Sequence, residues 1–165
     1  MQRRHLLLSV VPLAAAACGF RLRGVPSFAF NTLYINGPAN SALLNELRQQ
    51  IASGGSVQVI ADAARINDAQ VVLDVLSDQR EKVVVGLNAS GQVREFQLRT
   101  RLKFRLRTPQ ARELIAETEL LQQRDISFNE SAVLAKEAEE GLLYRDMQTD
   151  IVQQLMRRLA AVKTL

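Results

Sequence analysis

Val93-Arg94-Glu95-Phe96-Gln97-Leu98-Arg99-Thr100-Arg101-Leu102-Lys103-Phe104-Arg105-Leu106-Arg107 decides the fold. Phe96, Leu98, Leu102, Phe104 and Leu106 occupy even positions, and Arg99, Arg101, Lys103, Arg105 and Arg107 occupy odd ones. Successive side chains of a strand point to opposite faces, so this alternation puts the apolar set on one face of a sheet and the cations on the other. Such a strand needs a covering layer on one side only, as in antiparallel sheets with one solvated face.

The flanking segments complete a meander. Before the stretch, Asn88-Ala89-Ser90-Gly91 is a turn signature, preceded by the long β-rich run Gln70 to Leu87. After it, Thr108-Pro109-Gln110 turns the chain, and Arg112 to Arg124 returns with Leu114, Ala116, Thr118 and Leu120 on the apolar phase. Nearer the N-terminus, Leu33 to Asn36 reads as a strand stopped by Gly37-Pro38. Asn40 or Ser41 then caps a helix whose Leu43, Leu44, Leu47 and Ile51 share one face. Ser53-Gly54-Gly55-Ser56 ends that helix, Val57, Val59 and Ile60 form a short strand, and Asp62 to Ala69 is a polar connection.

At the other end, Asp125 to Glu140 reads as a polar loop holding one helical turn, Ala132-Val133-Leu134-Ala135. From Gly141, Leu143, Met147, Ile151, Leu155 and Leu159 recur every four residues, the stripe of an amphipathic helix. Two helices and one half-apolar sheet bury each other's apolar surfaces. The expected fold is therefore α+β: a two-layer sandwich with two helices packed on one face of a mixed, largely antiparallel sheet of four to five strands.

The cationic row has two readings. As an anion-binding face, its side chains recur about every 7 Å and could grip several phosphates or carboxylates. As a salt-bridged face, it meets acids on both neighbours: Glu113, Glu117 and Glu119 on one side, and Asp78 near Arg101 with Asp74 near Arg105 on the other. That pairing leaves Arg80 and Lys82 as a local surplus, so Arg80, Lys82 and Arg99 are the candidate anion contacts. Glu137, Glu139 and Glu140 read as acids at a helix start, favoured there by the helix dipole.

The first residues are of a different kind. Met1-Gln2-Arg3-Arg4-His5 is a basic head, followed by the uncharged run Leu6 to Ala17, too short to span a bilayer. Residues 1–17 are thus expected to be a signal peptide, residues 18–30 a tether, and residues 31–165 a single α+β domain. Removing Arg3 and Arg4 lowers the formal charge from +4 to +2, so bulk charge does not nominate nucleic acid as a partner. The single histidine, His5, leaves with the signal, and Cys18 is the single cysteine. This excludes Ser-His-Asp and Cys-His catalysis and zinc sites built from His or Cys, so no catalytic residue, metal or cofactor is expected.

Small residues before Cys18 resemble the lipobox of bacterial lipoproteins, with Ala15 standing where Leu is usual. Ala15-Ala16-Ala17 also fits an ordinary A-x-A peptidase, but that would leave a free thiol in an oxidising compartment. Cys18 is therefore the expected lipidation site. The start Cys18-Gly19-Phe20-Arg21-Leu22-Arg23-Gly24 resembles that of the lipopolysaccharide-assembly lipoprotein family, the LptE family. Asn88 to Glu95 is similar to that family's hairpin, and Leu134-Ala135-Lys136-Glu137 with Asp146 to Leu159 to its closing segment.

The resemblance implies a non-enzymatic outer-membrane lipoprotein, lipid-anchored on the periplasmic side. It implies seating in the lumen of the β-barrel LptD, help in that barrel's assembly, and contact with lipopolysaccharide during insertion into the outer leaflet. Gly19 after the cysteine, in place of Asp, fits transfer to the outer membrane. In this light Arg80, Lys82, Arg99, Arg101 and Lys136 become candidate lipopolysaccharide contacts. A binding accessory of an envelope lipid transporter shares the same tether and domain size, and co-purification with a large barrel separates the two. A hydrolase of envelope polymers would need an acid pair that the sequence does not offer.

Overall fold

The structure, a computed structural model, describes residues 27–165, so Cys18 and the expected signal peptide lie outside the described residues. Its elements are strand β1 (Thr32–Asn36), helix α1 (Ala42–Ser53), strands β2 (Gln58–Ile60), β3 (Val71–Leu87), β4 (Val93–Arg107) and β5 (Glu113–Ser127), and helix α2 (Val133–Ala161). The sheet order is β2-β1-β3-β4-β5. β1 runs parallel to both of its neighbours, and the β3-β4-β5 meander is antiparallel. This is the expected α+β sandwich, with five strands.

Ser41 begins α1 as its cap, its hydroxyl accepting from the Leu44 N–H at 3.1 Å. Leu43, Leu44, Leu47 and Ile51 turn inward onto Leu33, Leu73, Phe104 and Leu106 of the sheet and onto Ile151, Leu155 and Leu159 of α2. Each such side chain contributes about 1.5 to 3 kcal/mol by leaving water. A second, smaller cluster of Leu98, Ile126 and Met147, flanked by Phe96, Leu143 and Tyr144, lies further along the hairpin. α2, about 43 Å long at 1.5 Å per residue, covers both.

β1 pairs with β3 only as far as Asn36↔Asp74, so beyond Val75 the sheet has three strands. At that point β3 carries a bulge. Val75 opposes Phe104 but Ser77 opposes Lys103, which leaves Leu76 unpaired and half exposed. One extra residue reverses the facing of everything that follows. Asp78, Arg80 and Lys82 oppose Leu102, Thr100 and Leu98, so they lie on the helix-covered face rather than beside the cationic row. The expected approach of Asp78 to Arg101 is thereby corrected: Asp78 accepts from the Ser41 hydroxyl at 2.6 Å.

Two other expectations are corrected. β5 has its own irregularity between Thr118 and Ile115, so Leu114 and Ile115 share the packing that strict alternation assigns to Leu114 and Ala116. α2 begins at Val133 and not at Gly141, and its first turn holds no acid, so Glu137, Glu139 and Glu140 do not serve the helix start. The apolar stripe fades upstream because Lys136 and Glu140 occupy its place and pair with Ser127 and Lys82 of the sheet.

Candidate functional site

The cationic row lies along β4 on the face opposite the helices. Asp74, its carboxylate 5% exposed, receives Arg107 Nε at 2.7 Å and Arg105 Nε at 3.0 Å. Asn36 Nδ2 adds a third donor at 3.0 Å. Burial alone would raise the Asp74 pKa, but the donors of Arg107, Asn36 and Arg105 outweigh it and hold the carboxyl below its ordinary value. Glu119 bridges Arg101 at 2.9 Å and Lys103 at 3.8 Å, and Glu81 stands 3.7 Å from Arg101. Glu113 opposes Arg107 in register, yet neither it nor Glu117 forms an ion pair among the described residues. Arg99 is held only by the Gln97 amide oxygen, at 2.8 Å. Four members of the row thus share three carboxylates, and Arg99 has none among the described residues.

Arg80, Lys82 and Lys136 sit on the other side of the sheet. Arg80 donates to Gln148 Oε1 at 2.7 Å and lies over the Tyr144 ring, 5.3 Å from its centroid. Lys82 pairs with Glu140 at 2.6 Å and stands 4.4 Å above the Phe96 ring. Lys136 donates to the Ser127 hydroxyl at 3.0 Å and to Glu139 at 2.8 Å. Lys82 and Lys136 line a cavity of about 60 Å³ together with Glu137 and Glu140, so acids match its cations. The structure therefore divides the five candidates: Arg99 and Arg101 on one face, Arg80 and Lys82 on the other beneath α2, and Lys136 on α2 itself. Among the described residues no cluster of His, Cys, Asp and Glu could hold a metal ion, and no helix is long and apolar enough to cross a membrane.

Residues 30–159 match the family model described as LptE, lipopolysaccharide-assembly. The chain belongs to the LptE family. An LPS-assembly lipoprotein LptE of Pectobacterium atrosepticum is 30% identical over 165 residues, covering 95% of this chain and 84% of its own length. One from Yersinia pestis is 28% identical, with 95% and 75% covered. Among solved structures, lipoprotein B of Nitrosomonas europaea superposes with a TM-score of 0.74 at 35% identity, covering 87% of this chain and 91% of that one. The rare lipoprotein B of Shewanella oneidensis gives 0.66 at 25% identity, covering 79% and 95%.

Sequence reasoning missed the polar chain that ties this LptE-family hairpin to its helices. Gln148 receives Arg80 and passes its own amide to Glu46 Oε2 at 2.7 Å, while Thr149 donates to Glu46 Oε1 at 2.9 Å. Tyr144 donates its hydroxyl to the Glu81 carbonyl at 2.8 Å. Burial first, then the nearby Glu140 carboxylate, raises the Tyr144 pKa, partly offset by Arg80. The available signal was Gln148 itself, a polar residue beside Met147 on a stripe that is otherwise apolar.

Proposed function

We propose that the chain is an outer-membrane lipoprotein, anchored through a lipid on Cys18, that seats in the lumen of the LptD β-barrel. There it assists the barrel's assembly and the insertion of lipopolysaccharide into the outer leaflet. The observation that carries this reading is the family match over residues 30–159, joined by relatives whose names specify lipopolysaccharide assembly. In this reading residues 1–17 are a cleaved signal, residues 18–30 a tether, and residues 31–165 a domain that works by binding and not by catalysis.

The geometry is consistent with such a role. Ion pairs lie on both sides of the sheet, and a charged, polar surface of this kind suits a polar barrel wall. Arg99, which lacks a carboxylate partner, is the member of the row best placed to meet a lipid A phosphate. Arg101, Arg80, Lys82 and Lys136 would have to exchange an existing partner for one.

Pull-down of the lipidated protein from detergent-solubilised outer membranes tests the reading. A large β-barrel is expected to co-purify, and Cys18→Ser is expected to leave the membrane fraction. Recovery of the intact lipoprotein without a barrel would sink the assignment.

A further inference from the structure

We infer that the open edge of β5 is a strand-accepting interface for a basic, extended segment of a protein partner. This goes beyond membership of the family and does not depend on which envelope protein supplies the segment. β5 is the last strand of the sheet, and β4 pairs with it continuously from Phe104↔Thr118 to Glu95↔Ser127. The Phe128 N–H donates to the Arg94 carbonyl at 2.8 Å, which sets the phase of the ladder. In an antiparallel pair the bonded positions alternate, so even residues of β5 bond to β4. The N–H and C=O groups of Glu119, Leu121, Gln123, Asp125 and Ser127 therefore point away from the sheet. They form a row about 27 Å long, counted at 3.4 Å per residue, in which the Gln123 carbonyl accepts from Arg124 Nη1 at 2.9 Å.

The other edges are shorter than this one. β2 is three residues long, and the free stretch of β3 is regular only over the eight residues Ser77 to Val84, between irregularities at Leu76 and beside Gly86, and carries Lys82. Bulges and short strands block edge pairing, as do prolines and lysines. β5 has no proline, no lysine and no bulge from Thr118 to Ser127.

Charge selects the occupant. Within β5 stand Glu113, Glu117, Glu119 and Asp125 against the single base Arg124. α2 adds Asp150, joined to Arg124 at 3.0 Å, on the opposite side of the same edge. Glu119 is held by Arg101 and Lys103, so the margin of this edge carries Glu113, Glu117 and Asp125 outside any ion pair among the described residues. A second copy would bring the same acids to the contact, whereas a strand carrying Lys or Arg would find the carboxylates of Glu117 and Asp125 beside it.

The test uses the full chain in detergent and two fluorescent nine-residue peptides, one alternating Val with Lys and one alternating Val with Glu. The Lys peptide is expected to bind, to weaken at least tenfold between low and high salt, and to exceed the Glu peptide by tenfold or more. It should also slow amide exchange at Leu121, Gln123 and Asp125 by tenfold or more. Gln123→Pro removes an outward N–H, so it should retain the thermal midpoint and lose at least tenfold in affinity. Glu117→Lys, at an exposed position outside any ion pair among the described residues, should weaken the Lys peptide several-fold and keeps the test decisive if the proline variant misfolds. Absence of binding, equal binding of the two peptides, or indifference to both substitutions would overturn the proposal. So would a concentration-dependent dimer abolished by Gln123→Pro, which would assign the edge to a second copy.

Discussion

Asp74→Asn should destabilise the domain at neutral pH and have progressively less effect as the solution is acidified. The carboxylate accepts from Arg107 Nε at 2.7 Å, Arg105 Nε at 3.0 Å and Asn36 Nδ2 at 3.0 Å. An amide of the same shape offers one oxygen instead of two and turns an NH₂ toward a donor. Removing one partner of a fully buried ion pair costs about 3 to 5 kcal/mol. Here Arg105 is 46% and Arg107 20% exposed, so water recovers part of their solvation. The loss should be about 2 to 3 kcal/mol, a shift of roughly 1 to 2 M in the urea midpoint at an unchanged slope of about 1.5 kcal/mol/M.

The pH dependence follows from the direction of the shift. The folded carboxyl titrates below its ordinary value of 3.8, so its stabilisation is fully present above that value and is lost as pH falls through the folded pKa. Urea titrations at pH 7, 5, 4 and 3 measure the difference between parent and variant. It should be constant from pH 7 to 5 and shrink below about 4. A neutral-pH loss under about 0.5 kcal/mol, or a difference that persists unchanged to the lowest pH of the series, would refute the reasoning.

Deleting Leu76 should return β3 to strict alternation and force the distal strand to flip or slip. The bonds of Asp78 to Ser41, Arg80 to Gln148 and Lys82 to Glu140 would go, at about 1 kcal/mol each, with a further cost for turning Glu81 under α2. Urea unfolding should show a loss of about 3 to 5 kcal/mol, and an unaltered midpoint would count against the bulge. Thr100→Val should stabilise by about 1 kcal/mol, seen as a raised thermal midpoint, because the Thr100 hydroxyl is buried without a partner. Arg99→Ala should leave the unfolding free energy within about 0.5 kcal/mol while weakening binding to lipopolysaccharide several-fold. Arg105→Ala, by contrast, should cost stability through Asp74.

What was legible in the sequence was local and periodic. Alternation in β4, the Ser41 cap, the 3.6-residue face of α1 and the stripe from Leu143 to Leu159 each repeat at a spacing set by one element's own geometry. The Asp74–Arg105 pairing was also legible, although by a cancellation. Counting from a turn centred on Ala89-Ser90 is one residue off, because Asn88 bonds to Gln92 and centres the turn on Ser90, and the bulge at Leu76 restores the count. Between turn and bulge the error stands, so Asp78, Arg80 and Lys82 were assigned to the wrong side. Nothing marks Leu76 in the sequence, where it reads as one more apolar strand residue. The Glu46–Gln148 bond joins residues 102 apart and depends on how two helices cross the sheet, which no local period encodes. The start of α2 was hidden for a related reason: its first turns face the sheet with Lys136 and Glu140, so the apolar signal fades before the helix does.

The bulge at Leu76 acts on β3 much as a single-base insertion acts on a reading frame: every side chain distal to it is read out on the opposite side. A basic residue aligned with Lys82 in a relative is therefore its structural equivalent only if that relative has the same number of residues between this point and the hairpin tip. A relative one residue shorter there would present the aligned charge beside the β4 row instead. Family comparisons of these cations are sound when phase is counted from the Asn88–Gln92 turn, which keeps each charge on the side of the sheet where it works.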